Sequence, residues 1–406
     1  MGPWAWGRPQ AAWLQRLDKE HDNARAALRW LLEQGETREG AYTMELALRL
    51  GGALGWFWEV RGHWNEGQTF LERALVRSEG VTAPVRAKAL DAAGWLAYNQ
   101  NDYARAEALG EESLALHREL GDAAGMADAL DMLAGVAEAR GNYATASTLY
   151  REALALSRET ENKTGMAWAL HGWAKVTLYQ GEYTQAHALA QELLAISREI
   201  GDKGFISSAY SLLGQLALQQ GNEATAQEVS VESLAIYREI GYKLGIAFSH
   251  SLLGQLALQH SDETTAQALF EESLAIYRTV GSRQGTAESL AHLARTATLR
   301  GDDAAARALY EESLMLAREL GNKLTIASCL EGLAGVIMAQ GEAAWAVRLW
   351  GAAETLREVI GAPLPPVERA GYEQAVTTAR SQLGERNFAV AWAEGRAMTI
   401  EQIPWS

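Results

Sequence analysis

His171 and Lys175 stand at i and i+4, a spacing that puts an imidazole and an amine on one helix face. Such a pair could pass a proton, but catalysis also needs a nucleophile and an orienting group within reach. Neither is supplied nearby, so the pair reads as part of a polar groove. Asp128, Asp131 and Glu138 could suggest a cation site, yet no further oxygen ligands follow at the spacing of an ion loop. They read as a solvated acidic face. Cys329 is the only cysteine, which excludes a disulfide framework and a thiolate metal site. It lies in an Ala/Leu-rich stretch and reads as a small core residue, while His187 reads as surface. The sequence contains no G-x-S-x-G, H-E-x-x-H, C-x-x-C or G-x-x-x-x-G-K-[ST]. The chemistry expected is therefore recognition: no enzyme, no cofactor, no metal.

The charge balance narrows the class of partner. The formal net charge is −15 and Lys and Arg form no dense cluster, which argues against direct nucleic-acid binding. No apolar run approaches the roughly 18 residues of a membrane span. The single cysteine fits a reducing compartment, so a cytoplasmic protein is expected.

Positioning a recognition surface requires a scaffold, and the scaffold is written as a repeat. SLLGQLALQ occurs at 211–219 and again at 251–259. Sliding the whole chain by that same offset extends the match. Ala106, Ala146, Ala186, Ala226, Ala266, Ala306 and Ala346 form one column. Gly94, Ala134, Ala174, Gly214, Gly254, Ala294 and Ala334 form another, a fixed distance earlier in each unit. Two small columns flanking a turn mark the close crossing of two antiparallel helices, where a larger side chain would push the axes apart. The turns are visible as Gly141-Asn142, Gly221-Asn222 and Gly301-Asp302, and a second set, such as Gly121-Asp122 and Gly321-Asn322, closes each unit. No proline lies between Val85 and Ala362, as continuous helix demands. Leu130, Leu133, Ala134 and Ala137 recur at helical spacing. A lone helical hairpin of this kind cannot bury its apolar face, so the units must stack.

In a stacked array the first helix of each unit lines the concave side. Counted from its small residue, the inward positions are −6, −3, +1, +4 and +5. The early units offer Trp56, then Lys88, Asp91, Trp95, Tyr98 and Asn99, then Asp131. The fourth offers Trp168, His171, Lys175 and Tyr179. The duplicated units offer Ser211, Gln215 and Gln219, then Phe248, Ser251, Gln255 and Gln259, and the next offers Arg295. The glutamines can donate to and accept from a peptide backbone. The aromatics are of the type that anchors interfaces. Lys175 and Arg295 are expected to be available for a partner's acidic groups.

The small residue in the first helix, the small residue early in the second and the bulky residue four on, as in Gly254, Ala266 and Phe270, resemble the tetratricopeptide repeat. The unit is longer than the roughly 34 residues common in that family. The ends resemble a narrower family. LDKEHDNARAALRWLLE is similar to the motif that opens the tetratricopeptide region of bacterial STAND regulators, signal transduction ATPases with numerous domains. GAPLPPVERAGYEQAV and GERNFAVAWAEGRAMTIEQ resemble the segment that closes it. The resemblance implies a sensor arm that binds a peptide, protein or small inducer in its groove. It also implies upstream ATPase and winged-helix modules as partners, but with no phosphate loop in the sequence, ATP binding does not carry over.

The expected fold is an all-α, right-handed α-solenoid of eight tetratricopeptide-like hairpins with helical caps. Residues 1–9 are expected to be a disordered or expression-derived start and 10–42 two N-terminal capping helices, amphipathic, with Trp13, Leu17, Leu28 and Trp30 on their apolar faces. The eight repeats are expected over 43–362, and C-terminal capping helices with a tail over 363–406. The alternative is a structural scaffold without a specific groove ligand that self-associates through its convex side or through its ends, where Trp4, Trp6, Trp392 and Trp405 lie outside the repeats.

Overall fold

The computed structural model describes residues 8–34 and 40–402, and among these the regular structure is helical throughout. Helix α1 (Arg8–Gln34) precedes eight helical hairpins. These are α2 (Gly40–Arg61) with α3 (Trp64–Leu75), α4 (Ala83–Asn99) with α5 (Tyr103–Leu120), α6 (Ala123–Ala139) with α7 (Tyr143–Glu159), and α8 (Lys163–Tyr179) with α9 (Tyr183–Ile200). There follow α10 (Lys203–Gln219) with α11 (Glu223–Ile240), α12 (Lys243–Gln259) with α13 (Glu263–Val280), α14 (Arg283–Leu299) with α15 (Asp303–Leu320), and α16 (Lys323–Ala339) with α17 (Ala343–Ile360). Helices α18 (Pro366–Leu383) and α19 (Glu385–Ala397) end the fold, an α-solenoid.

Turn chemistry sets the period. A left-handed residue recurs every twentieth position from Asn101 to Gly361. It is glycine at all but Asn101, Glu161 and Ser261, whose φ values are 63°, 52° and 57°. The residue that follows caps the next helix: Asp102 accepts from the Arg105 amide, Asp262 from Thr265 and Asp302 from Ala305. A left-handed residue, usually glycine, stops each helix, and an Asp, Asn or Ser side chain caps many of the next ones, as at Asn222, Ser282 and Asn322, so each connection stays short.

The small columns are where the helices cross. All seven column alanines from Ala106 to Ala346 are buried. A Cβ on Gly94 would come within 2.3 Å of the Met132 sulfur, and one on Gly254 within 2.7 Å of the Phe270 ring. A buried serine at a fixed place in the second helix then ties the hairpin together. Ser113 donates to the Ala87 carbonyl, Ser273 to Ala247 and Ser313 to Ala287.

The chain divides into two compact units. Unit 1 comprises Met1–Glu138, Ala144–Val176 and Ala188–Ala209; unit 2 comprises Ala139–Tyr143, Thr177–His187 and Tyr210–Ser406. In unit 1 the expected pair of N-terminal helices is one helix, α1, because no glycine or proline interrupts residues 10–34. It is fixed by Arg25 on Glu66 and by Arg61 on Asp18. Its buried apolar residues are Leu14, Leu28, Leu31 and Leu32, with His21 buried beside them, whereas Trp13 and Trp30, expected on the apolar faces, are 59% and 56% exposed. In unit 2, α17 and α19 meet backbone to backbone, and a Cβ on Gly395 would lie 2.0 Å from the Arg348 carbonyl. Trp392 stacks on Phe388 and donates to Glu354, so it is no free surface anchor. Trp4, Trp6 and Trp405 lie outside the described residues, as does most of the expected 1–9 start.

Candidate functional site

In unit 1 the first helices of four hairpins, α2, α4, α6 and α8, line a cavity of about 510 Å³. Six of the residues expected in the groove meet there: Trp56, Lys88, Asp91, Trp95, Asp131 and Trp168. Positions −6 and +1 are two helical turns apart, so they share the stripe that faces the cavity. This places Lys88, Asp128 and Trp168 with Trp95. The Trp95 and Trp168 rings are 6.0 Å apart, and Phe205 meets Trp168 edge-on at 4.9 Å. Tyr98 stands edge-on to Trp95 at 5.6 Å and so extends the aromatic wall. Asn99 caps its own helix by donating to the Trp95 carbonyl.

Of the three acidic residues expected on a solvated face, only Asp128 is exposed. Asp131 is 4% exposed and Glu138 is buried. Burial, then the charge of Asp128, raises the Asp131 pKa well above the ordinary carboxylate value. Asp128 opens onto the cavity, yet protein surrounds it closely enough that burial, with help from Asp91, pushes it up to about 7. Burial also raises Glu59 to about 7, against a hydrogen bond from Asn99. Asp91 by contrast is fully engaged: it accepts from Ser113 and lies 3.1 Å from His117 Nε2. The other His117 nitrogen is 3.0 Å from Asp122. Burial alone would lower this imidazole's pKa, but the Asp91 hydrogen bond and the charges of Asp91 and Asp122 outweigh it and raise it. His117 and Asp122 were missed in the sequence because they belong to a second helix and the turn after it, outside the first-helix stripe. The signal was there: Ser113 and His117 follow Asp91 by 22 and 26 residues, the offsets that pair the two helices of a hairpin.

Lys175 is not available for a partner's carboxylate. Its Nζ lies 2.7 Å from Glu138, which also accepts from the Tyr150 hydroxyl. His171, on the same helix, is half-buried, and burial together with the charge of Lys175 lowers its pKa to about 4. At neutral pH it stands as an uncharged imidazole beside a lysine already paired with Glu138.

In unit 2 the glutamine ladder is partly covered. Gln219, Gln255, Gln259 and Arg295 line a second cavity of about 380 Å³ together with Val367 and Glu368 from α18. Arg295, expected to await a partner's acid, lies 2.7 Å from Glu368. Gln259 donates to the Leu218 carbonyl. Ser211 and Ser251, expected to face a ligand, are buried against the second helix of their own hairpins, on Ser233 and Ser273. Phe248 is half-buried and packs on Leu252, Leu256 and Ala217. Tyr179 stacks near Tyr143 at 5.6 Å, and Gln215 is half-buried on α10. The end of α17 and the segment that follows it run past two of this unit's turns, where a Cβ on Gly141 would meet Ile360 at 3.1 Å and one on Gly181 would meet Pro363 at 2.9 Å.

Cys329 is buried beside Ser313 at 3.1 Å, and burial pushes its thiol up to about 12. Among the described residues no group of three or more His, Cys, Asp or Glu could hold a metal ion. No helix among them is long and apolar enough to cross a membrane.

Two family models described as tetratricopeptide repeat match the sequence, one over 125–199 and 205–279, the other over 86–120 and 286–320, together more than half of the chain. No curated protein matches. Among solved structures the chain is similar to a Rap protein in complex with competence and sporulation factor, with TM-score 0.57, 12% identity, 88% of this chain and 100% of that one covered. A second is the Rap conjugation gene regulator of plasmid pLS20 in complex with the Phr* peptide, at TM-score 0.57, 11% identity, 83% and 95% coverage. A STAND protein with a tetratricopeptide repeat sensor from Pyrococcus horikoshii aligns at TM-score 0.47 and 15% identity, over 87% of this chain and 54% of that one.

Proposed function

We propose that this chain, which belongs to the tetratricopeptide-repeat proteins, binds a peptide or an extended protein segment in the cavity of unit 1. The observation that carries the reading is the convergence of Trp56, Trp95 and Trp168 with Asp91, Asp128 and Asp131 in one cavity. Aromatic anchors beside polar groups are what recognition sites use. The peptide-bound Rap structures share the fold and support a peptide as the ligand class. The glutamine ladder of unit 2 is a separate candidate surface, partly covered by α18.

The end motifs support a finer placement, as the sensor arm of a STAND-class regulator, cytoplasmic, with ATPase and winged-helix modules upstream. Ligand in the groove then controls activation of those modules. Self-association is the second reading, favoured by one observation: Trp13 and Trp30 are exposed on α1.

Selection of peptides from a displayed random library on the full chain tests the first reading. Selected peptides should lose about thirty-fold or more in affinity on Trp95→Ala or Trp168→Ala, the scale of a truncated anchor. Arg118→Ala and Arg158→Ala, on the outward second helices, should change little. If the outward variants weaken binding and the tryptophan variants do not, the groove is the wrong surface.

A further inference from the structure

One position of the repeat shows what the unit 1 groove is built to receive. At position −3 the array supplies Asp91, Ser211, Ser251 and Glu331 with a partner from the second helix of the same hairpin, at one of two fixed offsets, while His171 stands opposite Leu193 and Ser197 as an uncharged imidazole. Asp91 has Ser113 and His117, Ser211 has Ser233, and Ser251 has Ser273. Glu331 has Arg357, at 2.5 and 2.8 Å. For Asp131 those two positions are Ala153, which has no donor, and Ser157, whose hydroxyl is itself buried without a partner. Asp131 is therefore a carboxylate 4% exposed, with Oδ1 unpartnered, on the wall of a cavity. A buried carboxylate in this state is held at a cost that only a donor, and best a cation, removes.

The surroundings choose the kind of cation. Metal ions are disfavoured, since no cluster of three or more ligating residues exists among the described residues. Of the positive groups near the cavity, His117 is held by Asp91 and Asp122, and Arg49 by Glu45. Lys88 acts on Asp128, and the charge that acts on Asp131 is the like charge of Asp128. The same cavity is lined by Trp95 and Trp168, and indole rings attract organic cations and cover an alkyl stem.

We propose that the groove takes an alkylguanidinium or alkylammonium group, with its charge on Asp131 and Asp128 and its stem along Trp95 and Trp168. This rests on the groove reading above and names the ligand's chemistry: a basic side chain of a peptide, or a free organic amine of the same kind.

The test uses the full chain and three probes at constant ionic strength, read by ligand-observed NMR and tryptophan fluorescence. Butylguanidinium should bind at least tenfold more tightly than its neutral isostere butylurea. Asp131→Asn, with its circular dichroism unchanged, should abolish that preference, and Trp168→Ala should weaken both probes. The capped peptide Ac-Ala-Arg-Leu-Ala-NH2 against butylguanidinium separates the sources. Tighter peptide binding assigns the cation to a peptide and equal binding to a free amine, and either supports the proposal. Equal binding of butylguanidinium and butylurea, both lost in Trp168→Ala, overturns the charge inference and leaves the groove standing. A preference that survives Asp131→Asn, or no binding of any probe, also overturns it, with the groove then judged by the peptide selection alone.

Discussion

Replacing Asp131 by Asn should stabilise the fold at neutral pH, and the size of the effect follows from what surrounds the carboxylate. Asp131 is 4% exposed, Oδ1 is unpartnered, and Asp128 adds like charge. Burial and that repulsion raise its pKa well above 3.8 in the folded chain. The folded state therefore holds this proton more tightly than the unfolded state does. The stability this confers is fully present below the unfolded value and is lost as pH rises through the folded one. Between the two, each pH unit removes up to about 1.4 kcal/mol. Water in the cavity reduces the total, and the cost of one unsatisfied buried polar group, roughly 1–3 kcal/mol, sets its scale. Asparagine keeps the shape and has nothing to titrate. The variant's advantage should thus be small at pH 4 and grow to about 1–3 kcal/mol by pH 8. Urea unfolding across that range measures it. A repeat array need not unfold in one step, so the quantity compared is the midpoint of the first transition seen by tryptophan fluorescence. A gap that stays flat with pH, or a variant less stable than the parent at pH 8, would refute the reasoning.

Ala226→Leu should cost about 1–3 kcal/mol by overpacking a helix crossing at a fully buried column position; an unchanged thermal transition would mean the column has another cause. Ser261→Gly should raise stability by about 0.5–1 kcal/mol, because relief of a left-handed serine with φ 57° exceeds the entropy glycine adds to the unfolded chain. Differential scanning calorimetry beside Gly221→Ser, expected to move the other way, checks the sign. Cys329→Ser should leave ligand affinity intact and lower stability by about 1 kcal/mol, since a buried hydroxyl replaces a thiol. Loss of binding at unchanged stability would reveal a reactive thiol.

What the sequence revealed and what it hid divide along a physical line. The period, the two small columns and the turns were legible because each rests on local geometry written seven times. In unit 1 the cavity stripe was legible at −6 and +1 for Lys88, Trp168, Trp56 and Trp95, which line the cavity, whereas Lys175, also at +1, is held by Glu138. Position −3 was not, because its fate depends on what the second helix of the hairpin offers opposite it. Ser211 and Ser251 looked like ligand contacts until Ser233 and Ser273 were seen to hold them. Arg295 was misread for a longer-range reason: its partner Glu368 lies 73 residues on, beyond the repeat, where no periodicity reaches. The single N-terminal helix was misjudged at its surface, where Trp13 and Trp30 look apolar but leucines do the packing.

The same column explains why the array can carry an unsatisfied carboxylate at all. Stability in a repeat array is close to a sum over units and their neighbours, so one unit can be weakened without unravelling the rest. Glu331 marks the structural solution to a buried acid in this column: Arg357 closes it with two hydrogen bonds. Asp131 has neither that arginine nor the serine and histidine that serve Asp91. Its hairpin instead presents Ala153, a small side chain that keeps the helix packed, fully buried behind the acid. An acid placed only for packing would be replaced there by a neutral residue at a gain in stability. One kept beside Trp95 and Trp168, in a cavity of about 510 Å³, fits a group whose missing partner comes from the ligand. The stability gained by Asp131→Asn and the affinity lost by it are then two readings of one unsatisfied oxygen, and they should change together.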